Sequence, residues 1–189
     1  MCLNNLGNVF SETGAYADAK RMYARSLAIK EKALGPDHPD LATSLNNLAN
    51  IHFTRGDVAT SRALHKRALE IREARLGLDH PDVAASLHNL GVASLHRGLR
   101  DDAADYFTRA LAIRRAVLGE EHPEVAASYN WLGNYHHSRG AAGEATALYR
   151  KALAIREKAL PPDHPDIAST LSNLGLCLGQ QREPAAALV

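Results

Sequence analysis

The sequence predicts an all-α fold, a solenoid of antiparallel helix pairs stacked along the chain. Three observations predict it. The stretch "LGPDHPDLATSLNNLAN" returns in altered words at Leu34, Leu76, Leu118 and Leu160, each copy 42 residues after the last. Within a copy, apolar residues recur at helical spacing and no segment alternates as a strand does. Proline and glycine punctuate each copy at constant positions. A period of this length marks an array of helix pairs, each unable to bury its apolar face alone.

The unit from Pro39 to His80 shows how each element arises. Pro39 suits a helix start, where its missing N–H leaves nothing unsatisfied. Asp37 and Asp40 set negative charge near the helix N-terminus. Leu41, Leu45, Leu48 and Ile51 then follow at spacings of four and three on one face. "TRGD" ends the helix, with Arg55 near the carbonyl end, Gly56 as the C-cap and Asp57 starting the next helix. The second helix runs from about Val58 to Leu76, with Leu64, Ala68, Leu69, Ile71 and Leu76 favouring one side, and Gly77 stops it. Helix pairs are expected at 1–34, 39–76, 81–118 and 123–160, then a first helix from 165 to about 179. "EPAAALV" reads as the opening of a second helix. Residues 1–189 are thus read as a single array with units about 1–38, 39–80, 81–122 and 123–164 and a partial unit at 165–189. Neither end carries a polar cap, and the chain is expected to be a fragment of a longer protein.

Bulk composition narrows the function. The 22 Lys+Arg balance 21 Asp+Glu, so a nucleic-acid partner is not expected, because such binders show a basic excess. No apolar run approaches the ~20 residues that span a bilayer, so no membrane partner is expected either. Cys2 and Cys177 lie more than four repeats apart and read as unpaired small apolar residues. Unpaired thiols fit a reducing, cytoplasmic location.

Aligned on the turn glycines, the units carry a recurring set of small and aromatic residues. In the first unit it is Leu3, Leu6, Gly7, Ala19, Tyr23 and Ser26. In the third it is Leu87, Leu90, Gly91, Ala103, Phe107 and Ala110, and in the fourth Tyr129, Leu132, Gly133, Ala145, Tyr149 and Ala152. This set resembles the tetratricopeptide repeat. The 42-residue period, with "ALAIREKALG"-like segments followed by "DHP" and "LNNLA", resembles its kinesin light chain subclass over essentially the whole chain. The resemblance implies a right-handed superhelix, a protein-binding role and no catalysis. The second unit departs from the pattern, with His52 and His65 at two usually aromatic positions, which implies looser or wetter packing there.

In this family the first helices line a concave groove. Mapped by resemblance, the groove positions are Asn4, Asn46, His88, Asn130 and Ser172. One turn later come Asn8, Asn50, Val92, Asn134 and Leu176. Four-residue spacing puts each pair on one face. An Asn amide offers donors and an acceptor to the backbone of an extended peptide. Asn residues can equally bond to neighbouring repeats, and that reading is preferred for the row Asn5, Asn47, Asn89 and Asn173. Trp131, the one Trp of the chain, stands where other units have Asn. It reads either as core or as a groove-wall ring that docks a partner's apolar anchor, with His137 beside it. Arg55, Arg97 and Arg139 precede three turn glycines. They read either as favourable charge at helix C-termini or as a basic rim for an acidic peptide with an aromatic anchor. His38, His80, His122 and His164 recur once per unit. Stacked helices sit about 8–10 Å apart, so these cannot converge on an ion held at about 2 Å, and they belong to the turns. No phosphate loop, metalloprotease motif or nucleophile–base pair occurs, so neither catalysis nor a cofactor is expected.

Two functions follow. The first is a non-catalytic scaffold that holds an extended peptide segment of a partner in the groove. The alternative is an assembly or sensor module of a larger protein, self-associating through its uncapped ends or packing on an ATPase or effector domain.

Overall fold

The computed structural model describes residues 3–182, and among them every regular element is helical. The chain forms two compact units, Met1–Leu99 and Arg100–Val189. The first contains α1 (Leu3–Glu12), α2 (Tyr16–Leu34), α3 (Asp40–Thr54), α4 (Val58–Leu76) and α5 (Pro81–His96). The second contains α6 (Arg100–Leu118), α7 (Pro123–Ser138), α8 (Ala142–Ala159) and α9 (Pro165–Arg182). Within each unit every helix packs on the next one in sequence. The segment "EPAAALV" and Cys2 lie outside the described residues.

Local chemistry sets the boundaries. Pro81 and Pro123 occupy first-turn positions of α5 and α7. The turn histidines cap the first helices. Nδ1 of His38, His80, His122 and His164 accepts from the backbone N–H two residues on, at 3.1–3.2 Å. Asp57 caps α4 by accepting from Thr60 N–H at 3.2 Å. Gly14, Gly35, Gly56, Gly77, Gly98, Gly119 and Gly140 all have positive φ, between 77° and 88°. They recur every 21 residues, just beyond the helix ends, where a Cβ would be strained. Arg55, not Gly56, takes the C-cap position of α3, because the left-handed residue falls just outside the last helical one.

In the first unit Ala19, Tyr23, Leu27, Leu41, Leu45, Leu48, Ile51, Ala68 and Ile71 form one buried cluster. In the second, Val125, Ala126, Tyr129, Ala152 and Ile155 form one cluster, and Ala145, Tyr149 and Cys177 another. Cys177 is free and fully buried, and burial raises its thiol pKa.

Helix pairs approach through a small residue facing a ring. A Cβ on Gly7 would lie 2.6 Å from Tyr23 Cε1, and one on Gly133 2.5 Å from Tyr149 Cε1. In the second repeat Ala49 and His65 hold the corresponding positions, a larger residue facing a smaller ring. Gly133→Ala is therefore expected to destabilise the protein. Tyr149 is buried and its hydroxyl donates to Asn134 Oδ1 at 2.7 Å, so the ring cannot retreat. Overpacking of this kind costs ~1–3 kcal/mol, against ~1 kcal/mol gained in helix propensity. The net loss should be about 1–2 kcal/mol, at the upper end of that difference, in urea unfolding. Gly143→Ala, where nothing stands within 4 Å, should instead raise stability by up to ~1 kcal/mol. Equal shifts in the two variants would refute the packing argument.

A second periodic device joins each pair to the next. Lys30, Arg72, Arg114 and Arg156 stand 42 residues apart. Each donates to a backbone carbonyl ten residues on, at Asp40 (2.9 Å), Asp82 (3.3 Å), Glu124 (3.3 Å) and Asp166 (2.9 Å). Each also donates to a hydroxyl fourteen residues on, at Ser44, Ser86, Ser128 and Thr170. All four hydroxyl residues are fully buried.

Candidate functional site

The first helices of the pairs carry the polar ladder. In the first unit, Asn8 is exposed, and its Oδ1 accepts from Tyr23 Oη at 2.7 Å and from Asn47 Nδ2 at 3.4 Å. Asn46 is half-buried, and its Oδ1 accepts from Asn89 Nδ2 at 2.8 Å. Asn4 is buried and donates to Ser44 Oγ at 2.9 Å. Asn50 is exposed, and its amide makes no hydrogen bond among the described residues. Asn50 lies where Asn8 and Asn134 meet a tyrosine hydroxyl, and His65 supplies none. His88 is half-buried.

The second unit repeats the arrangement. Asn134 Oδ1 accepts from Tyr149 Oη at 2.7 Å and from Asn173 Nδ2 at 3.3 Å. Asn130 is buried, and its Oδ1 accepts from Asn173 Nδ2 at 3.4 Å. Ser172 donates to the Ala168 carbonyl of its own helix at 3.0 Å, and Leu176 is exposed.

The two rows of Asn thus have different tasks. Asn47, Asn89 and Asn173 reach back one repeat and donate to Asn8, Asn46, Asn130 and Asn134. The receiving residues use their carbonyl oxygens internally. Their Nδ2 groups, each with two donors, have no hydrogen-bond partner among the described residues. Within each unit these amides present donors, where the sequence offered donors and acceptors alike.

Trp131 is half-buried and stacks on Phe107, with centroids 5.6 Å apart and planes 21° apart. One face of the indole is therefore occupied from within the unit. His137 is half-buried, and its shielded Nε2 has no hydrogen-bond partner. The three arginines differ. Arg55 and Arg97 are exposed at the C-caps of α3 and α5. Arg139 is exposed but bound, donating to Asp101 at 2.7 Å and to Tyr135 Oη at 3.1 Å, and lying 5.8 Å from the Tyr135 ring centroid. These neighbours, Tyr135 first, raise its pKa. Its charge is neutralised locally by Asp101.

His65 is the most perturbed titratable histidine. Burial, then the nearby Arg72 charge, holds its pKa down to about 4, and its Nδ1 has no partner. It occupies the position held by Tyr23, Phe107 and Tyr149 in the other repeats and is packed there in place of their rings. Among the described residues no group of three or more His, Cys, Asp or Glu is gathered as metal ligands would be. No helix among them is long and apolar enough to cross a membrane.

A chain of helix pairs repeated at constant period, joined by polar ladders, is an α-solenoid. The tetratricopeptide repeat model matches residues 1–74, 40–116, 93–158 and 124–189, and the chain belongs to that family. Two crystal structures of a Podosopora anserina kinesin light chain with nearly identical TPR-like repeats, one of them a point variant, are each 26% identical to it. They cover 95% of this chain and 85% of their own, with TM-scores of 0.80 and 0.81. BtubC (BKLC) from P. vanneervenii shares the fold at 23% identity and a TM-score of 0.83, over 95% of this chain and 72% of its own. No curated protein matches the chain. The chain is a kinesin light chain-like repeat scaffold for protein–protein interaction, on a fold that is generally non-catalytic.

Proposed function

We propose that the first-helix faces bind extended peptide segments through the Asn donor array. The observation that carries this reading is the set of Nδ2 groups on Asn8, Asn46 and Asn134 left without partners, together with the free amide of Asn50. Such donors suit the carbonyl oxygens of an extended backbone, which recur whatever the side chains. Asn4 and Asn130, being buried, support the array from behind. Arg55 and Arg97 favour an acidic segment, and the half-buried indole of Trp131, with His137 beyond it on the same helix, favours an aromatic or aliphatic anchor.

The test is a displayed random-peptide selection on the purified protein, repeated on the combined variant Asn8→Asp, Asn46→Asp, Asn134→Asp. Aspartate keeps the acceptor that Tyr23, Tyr149 and Asn89 use but removes the donors. Losing two or three hydrogen bonds, each worth ~0.5–1.5 kcal/mol, should weaken enriched peptides about 10- to 100-fold. Equal binding to parent and variant would refute the array.

A second reading, self-association or packing on another domain, is favoured by Ile29 and Leu171. Ile29 is 52% exposed, whereas Ile71, Ile113 and Ile155 at the same repeat position are at most 8% exposed. Leu171 is 47% exposed, against 0% for Leu45 and Leu87. A mass that stays monomeric from micromolar to millimolar concentration would refute self-association.

A further inference from the structure

The first unit contains a pocket of about 330 Å³ between the α2–α3 turn and α4, lined by Asp37, Arg67, Glu70, Ile71, Ala74 and Arg75. The chain carries its own guide to what belongs there. Glu121 and Lys158 stand two 42-residue periods after Asp37 and Ala74. In the second unit Lys158 Nζ meets Glu121 Oε1 at 2.5 Å. In the first unit the acidic partner remains, as Asp37, but the lysine is Ala74. Asp37 then has no ion pair or hydrogen bond among the described residues. The other charges of the pocket are partly committed. Arg67 is held by Glu31 at 2.5 Å and by the Pro36 carbonyl at 2.8 Å. Glu70 lies 3.7 Å from Lys66. Ile71 is 4% exposed and forms an apolar wall.

We propose that this pocket binds a lysine side chain of a protein partner, which stands in for the lysine the repeat lacks. The ammonium meets the Asp37 carboxylate, with Glu70 adding negative potential. The four-carbon stem lies along Ala74 and Ile71, as amphipathic side chains do on apolar surface. Arg75, also without a partner among the described residues, discriminates. It repels a second basic residue and favours an acidic neighbour of the inserted lysine. The site is separate from the Asn array and does not depend on it.

The test is NMR titration of the full chain with Nα-acetyl-lysinamide, beside Nα-acetyl-norleucinamide, which has the stem without the ammonium. Saturable shifts centred on the amides of Asp37, Ala74 and Arg75 are expected with the lysine compound only. Ala74→Lys, which rebuilds the internal pair, and Asp37→Asn should each weaken it at least about tenfold, as loss of a charge-assisted contact does. Both substitutions are at exposed positions, and unchanged shifts elsewhere would report an intact fold. The Asn8/Asn46/Asn134 variant should bind the compound like the parent. Absence of saturable binding, equal response to norleucinamide, binding that survives Ala74→Lys, or binding that arises only in Arg75→Ala would each overturn the proposal. The last outcome would mean that Arg75 itself fills the pocket.

Discussion

Replacing Arg114 by methionine is expected to lower the stability of the second unit by about 2–4 kcal/mol, the range for breaking one side of a buried polar network. Arg114 is 6% exposed. Its Nη1 donates to Ser128 Oγ at 2.8 Å and to the Glu124 carbonyl at 3.3 Å, and its Nη2 meets the Glu124 carboxylate at 2.5 Å. Burial lowers its pKa, and Glu124 opposes that shift. Methionine fills much of the volume but leaves the buried Ser128 hydroxyl without the Arg114 donor, while the Glu124 carbonyl keeps Ser128 Oγ as a donor at 3.4 Å. The Glu124 carboxylate itself is 52% exposed, so water recovers it and the carboxylate adds little to the loss. The damage sits mainly at the buried hydroxyl of Ser128. Adding Ser128→Ala to Arg114→Met should therefore recover at least about half of the loss, because replacing both partners by apolar groups can be nearly neutral. Arg114→Lys should be mild, since Lys30 already makes the equivalent contacts to Asp40 and Ser44. Urea midpoints of the four proteins decide the matter. An Arg114→Met midpoint within error of the parent would show that the repeated basic rung is incidental.

This rung also marks what the sequence did and did not disclose. Helix boundaries were legible because glycine and proline act on their own backbone: Pro81, Gly77 and Gly98 do the same thing in any surroundings. The apolar faces were legible for the same local reason. The partners of polar side chains were not, because they depend on the offset between neighbouring repeats. Asn173 reaches Asn130 and Asn134, 43 and 39 residues back, and no single-helix pattern announces those separations. Nor does composition show that Asp101 takes up the charge of Arg139 while Arg55 and Arg97 stay exposed. The rung left a visible signal, a basic residue followed fourteen residues later by Ser or Thr in every unit. It is a structural signal, found by aligning the repeats with themselves. The same alignment exposes the pocket, through Ala74 where Lys158 would stand.

Acidification is expected to weaken the first unit through His65. Its folded-state pKa is about 4, below the ordinary 6.5, because burial penalises the imidazolium and Arg72 repels it. The unfolded chain therefore binds more protons between these values. The stability in question is fully present above pH 6.5 and is lost as pH falls toward 4. At about 1.36 kcal/mol per pKa unit, the loss between about pH 7.5 and pH 4.5 should be about 2–3 kcal/mol. His65 is 3% exposed, so solvent screens little of it. The repeat supplies the control. His65→Tyr alone would press a ring onto Ala49, as Tyr149 would meet a Cβ on Gly133. The double variant Ala49→Gly, His65→Tyr rebuilds the pair seen at Gly7 and Tyr23, and places a hydroxyl where Tyr23 reaches Asn8. It should unfold later than the parent at about pH 4.5 and lack the His65 share of the pH dependence. Asp57, held down to about 2 by Thr60 first and by His52, stays ionised in both proteins at the acid end of this range, so it does not enter the difference. Urea unfolding at the two pH values measures it directly. A parent whose acid-induced loss exceeds that of the double variant by less than about 0.5 kcal/mol would show that His65 finds water or a partner on protonation.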